Sequence, residues 1–360
     1  MKDQTYLIIV IIILLVFVLL NSIITSKETF EVGQGKIERP FVNVYDQNGR
    51  TLNVALLSRP FYLDKHYEDY KKIKTDFLIL GISSYQEFPN QPRNPKDNYN
   101  QKNIYDAVKW TNMCEGWLHC FKNKDDYIPK TMDSILLSES DFVDCQLHKP
   151  NTTVTKKYDF IYICHRDDKQ DCTTDEWVAY NKNLKMANKC FKIMCTKFKL
   201  KGLLIGRSGC SLPSGCEKYL DTTPKLNYNE LMKKYDEVKF IFIPNVHDAS
   251  PRVLTEALCH NIPCFINQNI VGGWKYVTPE TGHLFNSLDD FEPNLQQFLD
   301  NMNTYSPRSH FIQNYGIINS GKKLRDFCVK VFGNRLNVDI NTIDYLTPEF
   351  EKKNYKHCLT

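Results

Sequence analysis

Short apolar blocks alternate with amphipathic stretches through the second half of the chain. The blocks cover residues 160–164, 202–205, 240–243 and 262–266. Apolar residues at intervals of three or four positions lie between these blocks, over about 176–198, 228–235 and the segment after Ser250. The first pattern predicts buried strands and the second predicts helices. Strands that alternate with helices are typical of a parallel sheet with right-handed crossovers, so the pattern predicts an α/β fold.

The first half of the chain carries a shorter version of the same alternation. Apolar runs predict strands over 52–57, 77–80 and 134–137. Helices are predicted in this half over a charged stretch ending near Lys74 and over 105–121. Two further helices are predicted near the end of the second half, over 291–302 and 321–332. Each half is long enough for its own core. We therefore expect two Rossmann-like domains that face each other across a cleft.

The N-terminus has a different hydrophobic pattern. Residues 7–20 are uninterrupted apolar sequence, and the stretch extends to Ile24. That length is close to what a helix needs to cross a bilayer. A cleaved signal peptide is the alternative, but it would have a shorter apolar core and a small-residue cleavage site. We predict one transmembrane helix, and its position before a large domain suits a type II single-pass protein.

Composition excludes one class of partner. The chain has 360 residues and a formal charge of +4, and no cluster of Lys and Arg is interleaved with aromatic residues as in nucleic-acid grooves. We therefore expect no nucleic acid partner.

Thirteen cysteines are a high and odd number. Four of them lie inside predicted strands or helices, where a thiol acts as a small core residue: Cys164, Cys190, Cys259 and Cys264. Two further pairs are candidate disulfides in a lumenal compartment, Cys114 with Cys120 and Cys210 with Cys216. Neither pair has zinc-site spacing. Asn151-Thr152-Thr153 is a glycosylation acceptor that a secretory compartment would use.

Two carboxylates flank the start of the helix that follows residues 240–243. Asp248 is expected in the loop at the carboxyl end of a parallel strand, with Glu256 about two turns into the helix. Ionised carboxylates hold sugar hydroxyls or a ribose diol well, because they accept charge-assisted hydrogen bonds. The alternative is that both acids are solvated helix charges.

The helix start itself offers an anion site. Ser250 is predicted to cap the helix and Pro251 to take its first position. The free amides around Arg252 and Val253 would then accept a diphosphate. This single segment provides groups for three parts of a sugar-nucleotide.

The same segment resembles a known family. Seven residues separate Asp248 from Glu256, and Pro263, the pair Gly272-Gly273 and Thr281-Gly282-His283-Leu284 follow. This arrangement resembles the donor-binding half of group-1 retaining glycosyltransferases of the GT-B architecture. The resemblance implies that Glu256 holds the nucleotide ribose and Asp248 a hydroxyl of the donor sugar. Two positions depart from the family pattern: Asp248 stands where Glu is usual, and Trp274-Lys275 replaces the Glu that commonly follows the glycines.

Cations for a leaving diphosphate are expected at the same sheet edge. Arg166 follows a predicted strand and Lys182 lies near the start of the next helix, with Lys169 as a rival to Lys182. The resemblance implies that such an Arg and Lys stabilise the departing phosphates. Gly206, after the strand 202–205, would let a nucleotide approach the backbone. The alternatives are a surface ion pair for Arg166, a solvated helix charge for Lys182 and a simple chain turn for Gly206.

Acidic runs at 167–168 and 138–141 could hold a divalent metal, but such runs are usually solvated loops. We therefore predict no metal and no cofactor. No catalytic histidine is assigned among His119, His247 and His283.

These inferences give one predicted organisation and function. The predicted parts are an N-terminal tail and anchor (1–26), a stalk (27–40), an acceptor domain (41–150), a nucleotide-sugar-binding domain (151–335) and a tail (336–360) that packs back on the acceptor domain. The expected activity is transfer of a sugar from a nucleotide-sugar to a glycan, protein or lipid acceptor, with retention of anomeric configuration. The alternatives are a phosphorylase-like or epimerase-like enzyme and a catalytically degenerate, membrane-anchored glycan-binding protein.

Overall fold

The computed structural model describes residues 37–90, 109–165, 172–174 and 177–350. This part of the chain contains two six-stranded sheets, in the strand orders β12-β1-β2-β3-β4-β5 and β11-β10-β9-β6-β7-β8. The first sheet contains β1 (Phe41–Asp46), β2 (Thr51–Leu57), β3 (Leu78–Ile82), β4 (Gly116–His119), β5 (Ser134–Leu136) and β12 (Leu346–Pro348). The second contains β6 (Tyr158–Ile163), β7 (Gly202–Ile205), β8 (Leu220–Thr223), β9 (Val238–Ile243), β10 (Cys264–Asn267) and β11 (Gly282–Phe285).

Helices occupy most of the connections. They are α1 (Asp64–Asp76), α2 (Trp177–Asn181), α3 (Leu184–Thr196), α4 (Tyr228–Asp236), α5 (Arg252–Cys259), α6 (Leu288–Asp300), α7 (Pro307–Asn314) and α8 (Gly316–Phe332). Short 3-10 helices include Trp110–Met113, Glu139–Phe142 and Trp274–Tyr276.

The second sheet is parallel throughout and buried on both faces. Successive residues of a strand point to opposite faces, so Ile161 and Ile241 lie in one apolar cluster while Phe160 and Phe240 lie in another. Near-continuous apolar strands of this kind are typical of a sheet covered by helices on both sides. The predicted α/β class and the Rossmann-like arrangement are confirmed.

The first sheet is mixed, because β1 runs antiparallel to both of its neighbours, β2 and β12. Strands β2 to β5 are parallel. Helix α8 contributes Leu324 and Phe327 to the apolar cluster under this sheet. The last part of the chain that the structure describes therefore packs on the first sheet, through α8 and β12.

Two predicted helices differ from the structure. The helix predicted over 176–198 consists of α2 and α3, since Asn183 between them is in the left-handed region with a φ of 51°. The helix predicted over 105–121 is wrong in its described part, which holds the 3-10 helix Trp110–Met113 and then β4. All four residues of β4 are buried, so the run lacks the polar face that an amphipathic helix would show.

The disulfide predictions were also wrong. The structure pairs Cys145 with Cys259 and Cys172 with Cys210, each across a long stretch of sequence. The thiols of Cys114, Cys120 and Cys216 are free and buried. Folding brings distant segments together, and spacing in the sequence does not reveal such pairs. The prediction of core thiols holds for Cys164, Cys190 and Cys264 and fails for Cys259.

The predicted transmembrane helix, with the rest of residues 1–36, lies outside the described residues. Within the described ranges, no helix is both long and apolar enough to cross a bilayer. The anchor, the stalk and the domain boundaries stay predictions.

A buried ion pair connects the two sheets. Lys275, which follows β10, places its Nζ 2.5 Å from Oδ2 of Asp141 in the 3-10 helix after β5. The two side chains are 5% and 1% exposed. Tyr276 donates its hydroxyl to the other carboxylate oxygen at 2.8 Å, and the Ser138 amide donates to Oδ2 at 2.6 Å. A buried charge needs such partners, and these hold the carboxylate in place.

We expect Lys275→Met to lower the free energy of unfolding by about 3–5 kcal/mol, because it leaves the Asp141 carboxylate buried without its counter-charge. Urea denaturation of the full chain measures this change. Lys330→Met is the matched control: Lys330 pairs with Asp133, but the two side chains are 63% and 48% exposed. The control should cost less than about 1 kcal/mol. Equal losses for the two variants would contradict a dominant role for the buried pair.

Candidate functional site

Asp248 and Lys182 form one ion pair at the carboxyl edge of the second sheet. The Nζ of Lys182 lies 2.5 Å from Oδ2 of Asp248, and the Asn245 side chain donates to the same oxygen at 2.9 Å. The side chains of the pair are 24% and 14% exposed, so solvent reaches both. Lys182 and Asp248 were each predicted to lie at this edge of the sheet, and in the folded chain they contact each other.

The backbone around Lys182 explains its position. Lys182 lies in the break between α2 and α3, and its carbonyl accepts a hydrogen bond from the hydroxyl of Tyr162 in β6 at 2.9 Å. The adjacent Asn183 donates its side-chain amide to the carbonyl of Pro244, just after β9, at 3.0 Å. Both bonds tie the break to the ends of the central strands.

Glu256 is buried within α5. Its Oε2 accepts a hydrogen bond from the hydroxyl of Tyr235 at 3.2 Å, and that hydroxyl also lies 3.2 Å from the carbonyl of Val253. Burial raises the pKa of Glu256 above its ordinary value, and the charge of Arg252 and the Tyr235 hydrogen bond oppose that shift. The acid is therefore held in place rather than solvated, which removes the alternative of a surface helix charge.

Ser250 does not cap the helix, which corrects the prediction. Helix α5 begins at Arg252 with Pro251 at the cap position and no side-chain cap. The Ser250 hydroxyl instead accepts from the amide of Ser140 at 2.9 Å and lies 2.7 Å from the Ser140 hydroxyl. The loop after β9 faces the first sheet, so a serine suited to capping is used in a contact between the sheets. The amides of Arg252 and Val253 still lie in the first turn, where the helix dipole favours an anion.

The glycine pair after β10 fixes the loop that carries Asp248. The Gly272 amide donates to the Asp248 carbonyl at 2.9 Å. A Cβ on Gly272 would lie 1.8 Å from the carbonyl oxygen of Ala249, so only glycine permits this approach. Gly273 has a φ of 93°, a conformation that favours glycine.

Gly206 is a second point of close backbone approach. Its φ is 86°, and a Cβ there would lie 2.6 Å from the Cα of His165 at the end of β6. The next residue, Arg207, is buried and donates to the Cys164 sulfur at 2.8 Å. The glycine thus allows the ends of β6 and β7 to approach each other. The predicted approach of a nucleotide to Gly206 stays a prediction.

Positive charge gathers around His165. Burial lowers the pKa of His165, and the charges of Lys225, Lys182 and Arg207 lower it further. Its Nδ1 is buried and has no hydrogen-bond partner among the residues that the structure describes. This edge of the sheet therefore favours an anion. His165 and Lys225 could not be identified from the sequence, because neither belongs to a motif and both come close to Lys182 only in the folded chain.

The first sheet completes the site through the loop after β3. Gln86 donates its side-chain amide to Asn181, next to Lys182, at 3.1 Å. Nδ1 of His247 lies 3.0 Å from an oxygen of Glu87. The Tyr180 ring stacks on His247, with centroids 4.7 Å apart. These contacts place the loop of one sheet against the Lys182 and Asp248 edge of the other.

The remaining sequence predictions concern the cations and acids of residues 166–169, the acidic run 138–141 and His283. Arg166, Lys169 and the acids 167–168 lie outside the described residues. Asp141 of the run 138–141 is bound by Lys275 rather than solvated. Among the residues described, no group of three or more His, Cys, Asp or Glu is placed to hold a metal ion. His283 bonds to Asn294 at 3.0 Å, a structural contact.

Comparisons with known proteins establish the fold. No protein-family model matches the chain, and no curated protein matches it by sequence. Among solved structures, it is similar to a sucrose-phosphate synthase from Thermosynechococcus elongatus, with 10% identity, a TM-score of 0.57, and coverage of 78% of this chain and 74% of the synthase. It is also similar to the lipopolysaccharide outer core galactosyltransferase WaaB, with 13% identity, a TM-score of 0.51, and coverage of 74% and 72%. The chain therefore has the GT-B fold, as the sequence resemblance implied.

Proposed function

We propose that this chain is a glycosyltransferase that binds a nucleotide-sugar at the carboxyl edge of the second sheet and an acceptor from the side of the first sheet. The observation that carries the proposal is the Lys182–Asp248 pair beside the start of α5, facing the loop that follows β3. Ligands of open α/β sheets bind at such an edge. Two neighbours of the same fold bear the names of a sucrose-phosphate synthase and a galactosyltransferase.

The site offers a separate group for each part of the donor. Glu256 would accept hydrogen bonds from the ribose diol, and the first-turn amides of α5 would bind phosphate oxygens. Asp248 would orient the donor sugar through a hydroxyl. Lys182 would then contact both the sugar-orienting acid and the diphosphate.

Departure of the diphosphate would depend on preorganised positive charge. Lys182, Lys225 and Arg207 all act on the same histidine, His165, so their charges are close to one another. Arg166, which follows His165 in the chain, is a further candidate for a cation that stabilises the diphosphate. Cations fixed before the reaction stabilise charge on a leaving group without reorganisation. We propose that they do so without a metal and that the anomeric configuration is retained.

We also propose a membrane-anchored, lumenal protein. Residues 7–24 have the length and composition of a membrane span. The pairs Cys145–Cys259 and Cys172–Cys210 are consistent with an oxidising compartment. The acceptor asparagine of the glycosylation sequence, Asn151, is exposed.

A donor panel tests the proposed function. The full chain in detergent is titrated with UDP-, GDP- and CMP-linked sugars, and release of nucleotide is followed with mixed glycan acceptors. We expect one nucleotide class to bind and to be released only with an acceptor present. NMR of the product's anomeric proton then reports retention or inversion. Binding of glycans without binding of any nucleotide-sugar would contradict the proposal and favour a glycan-binding protein.

We expect Lys182→Ala to reduce kcat/KM by roughly 10- to 100-fold, because it removes a charged hydrogen-bond donor from the leaving group. Initial rates with the donor found above measure this loss. Lys189→Ala is the control, since Lys189 is an exposed lysine of α3, and it should leave the rate unchanged. A similar loss in both variants would mean that general positive charge, not the position of Lys182, matters.

Glu256→Gln should separate function from stability. Burial raises the pKa of Glu256 above its ordinary 4.5, so the folded state binds this proton more tightly than the unfolded state does. The stability gained from that proton is complete below the unfolded pKa and is lost as pH rises through the folded pKa. The variant does not titrate, so we expect it to be more stable than wild type at pH 7, with the difference fading in acid.

The same variant should lose affinity for the donor nucleotide, because an amide is a weaker acceptor for the ribose diol than a carboxylate. Urea denaturation at several pH values and calorimetric titration measure the two effects. Glu292→Gln, which changes a half-exposed acid of α6, is the control for both. Undiminished nucleotide affinity in Glu256→Gln would remove the ribose assignment.

A further inference from the structure

Two arginines lie at the carboxyl edge of the first sheet, away from the residues used above. Arg39 precedes β1 and Arg59 follows β2. Phe41 pairs with Leu57 in this antiparallel pair of strands, so the residue before one strand and the residue after the other reach the same edge. The loops after β3 and β5 begin at this edge too, because β2 to β5 are parallel.

Arg59 is held but not fully satisfied. Its guanidinium lies over the ring of Tyr85, 5.8 Å from the ring centroid. The Nε of Arg59 is buried and has no hydrogen-bond partner among the described residues. Burial and then the charge of Arg39 lower the pKa of Arg59, but a guanidinium stays charged in proteins. A buried donor without an acceptor is costly, and it suits a site that an acceptor group enters.

One carboxylate lies beside this pair. Glu139 is buried, and its Oε1 lies 3.9 Å from Nη1 of Arg39. That distance is too long for a hydrogen bond, and Oε1 has no hydrogen-bond partner in the described part of the chain. Two guanidiniums beside one carboxylate leave an excess of one positive charge. The three side chains therefore form an incompletely paired, positively charged group.

This group faces the donor site. Tyr85, which lies under Arg59, stacks on Trp177 of α2 with ring centroids 5.9 Å apart. The next residue, Gln86, bonds to Asn181, which precedes Lys182. The arginines are thus connected through one short loop to the residues proposed to act on the leaving group.

We propose that Arg39 and Arg59 bind an oxyanion on the acceptor, so that the acceptor is an acidic sugar carrying a carboxylate or a phosphate. Guanidinium groups match both oxyanions, because their donors form a planar fork. The oxyanion gives the Nε of Arg59 an acceptor and balances the positive charge that Glu139 leaves uncompensated. This inference rests on the proposed function, because it names the acceptor of that reaction.

Calorimetric titrations of the full chain test the inference. The probes are glucuronic acid, galacturonic acid, glucose 6-phosphate and mannose 6-phosphate, with glucose and mannose as neutral controls. We expect the acidic sugars to bind, the neutral sugars to bind at least ten-fold more weakly, and the affinity for the acidic sugars to fall as salt rises. Comparison of the uronic acids with the sugar phosphates identifies the oxyanion.

Variants assign the binding to these residues. Arg59→Gln and Arg39→Gln should each weaken binding of the acidic sugars at least ten-fold without changing nucleotide affinity. Circular dichroism checks that both variants fold, and Arg39, whose side chain is 37% exposed, is the safer replacement. Glu139→Gln should tighten binding, because it removes the competing negative charge. Arg335→Gln is the matched control: Arg335 pairs with Glu115, which precedes β4 at the opposite edge of the same sheet.

The outcomes separate the two proposals. Three outcomes would overturn this inference and leave the glycosyltransferase proposal standing. Neutral sugars could bind as tightly as acidic sugars, or both arginine variants could keep their affinity for acidic sugars. The third outcome is a chain that binds a nucleotide-sugar but no acidic sugar. Absence of binding by every nucleotide-sugar would instead overturn the glycosyltransferase proposal itself.

Discussion

Among the contacts that join the two sheets, the pair of Lys275 and Asp141 is the most deeply buried ion pair in the described part of the chain. Its carboxylate belongs to the segment after β5, and its ammonium belongs to the loop after β10. That same loop contains Gly272, whose amide holds the Asp248 carbonyl. The position of the proposed sugar-orienting acid is therefore coupled to the contact between the sheets. A buried charge pair has few alternative geometries, because every displacement leaves a charge unpaired.

One of the two departures from the pattern of the resembled family also has a physical explanation in this contact. The family commonly places a Glu after the glycine pair, whereas this chain has Trp274 and Lys275. Trp274 donates its indole N–H to the carbonyl of Cys120 at 2.9 Å, and Lys275 binds Asp141. Both residues that replace the expected acid thus reach the first sheet. A position that the family uses near the donor serves here to join the sheets.

The sequence predicted the features whose pattern lies within one helix or strand, and it did not predict contacts between residues that are distant in the chain. Strand β7 and helix α4 were visible because their apolar spacing is complete within the element, and Glu256 could be placed because it follows such a strand. Strand β8, with the sequence LDTT, has too little apolar character to predict. Ser250 was assigned to a local cap, whereas its partner Ser140 lies 110 residues away. The disulfide partners, His165 and Lys225 were missed for the same reason, since only the folded chain brings them to their contacts.

The facing edges of the two sheets share one electrostatic design. On the second sheet, Lys182 pairs with Asp248 while further cations surround His165. On the first sheet, Arg39 lies near Glu139 while Arg59 adds a second positive charge. In each case a single carboxylate offsets only part of the positive charge, so an anionic group can enter without first removing a complete ion pair. Such a cleft disfavours two neutral partners and favours an anionic donor opposite an anionic acceptor, because each edge gains its missing counter-charge only when its ligand arrives.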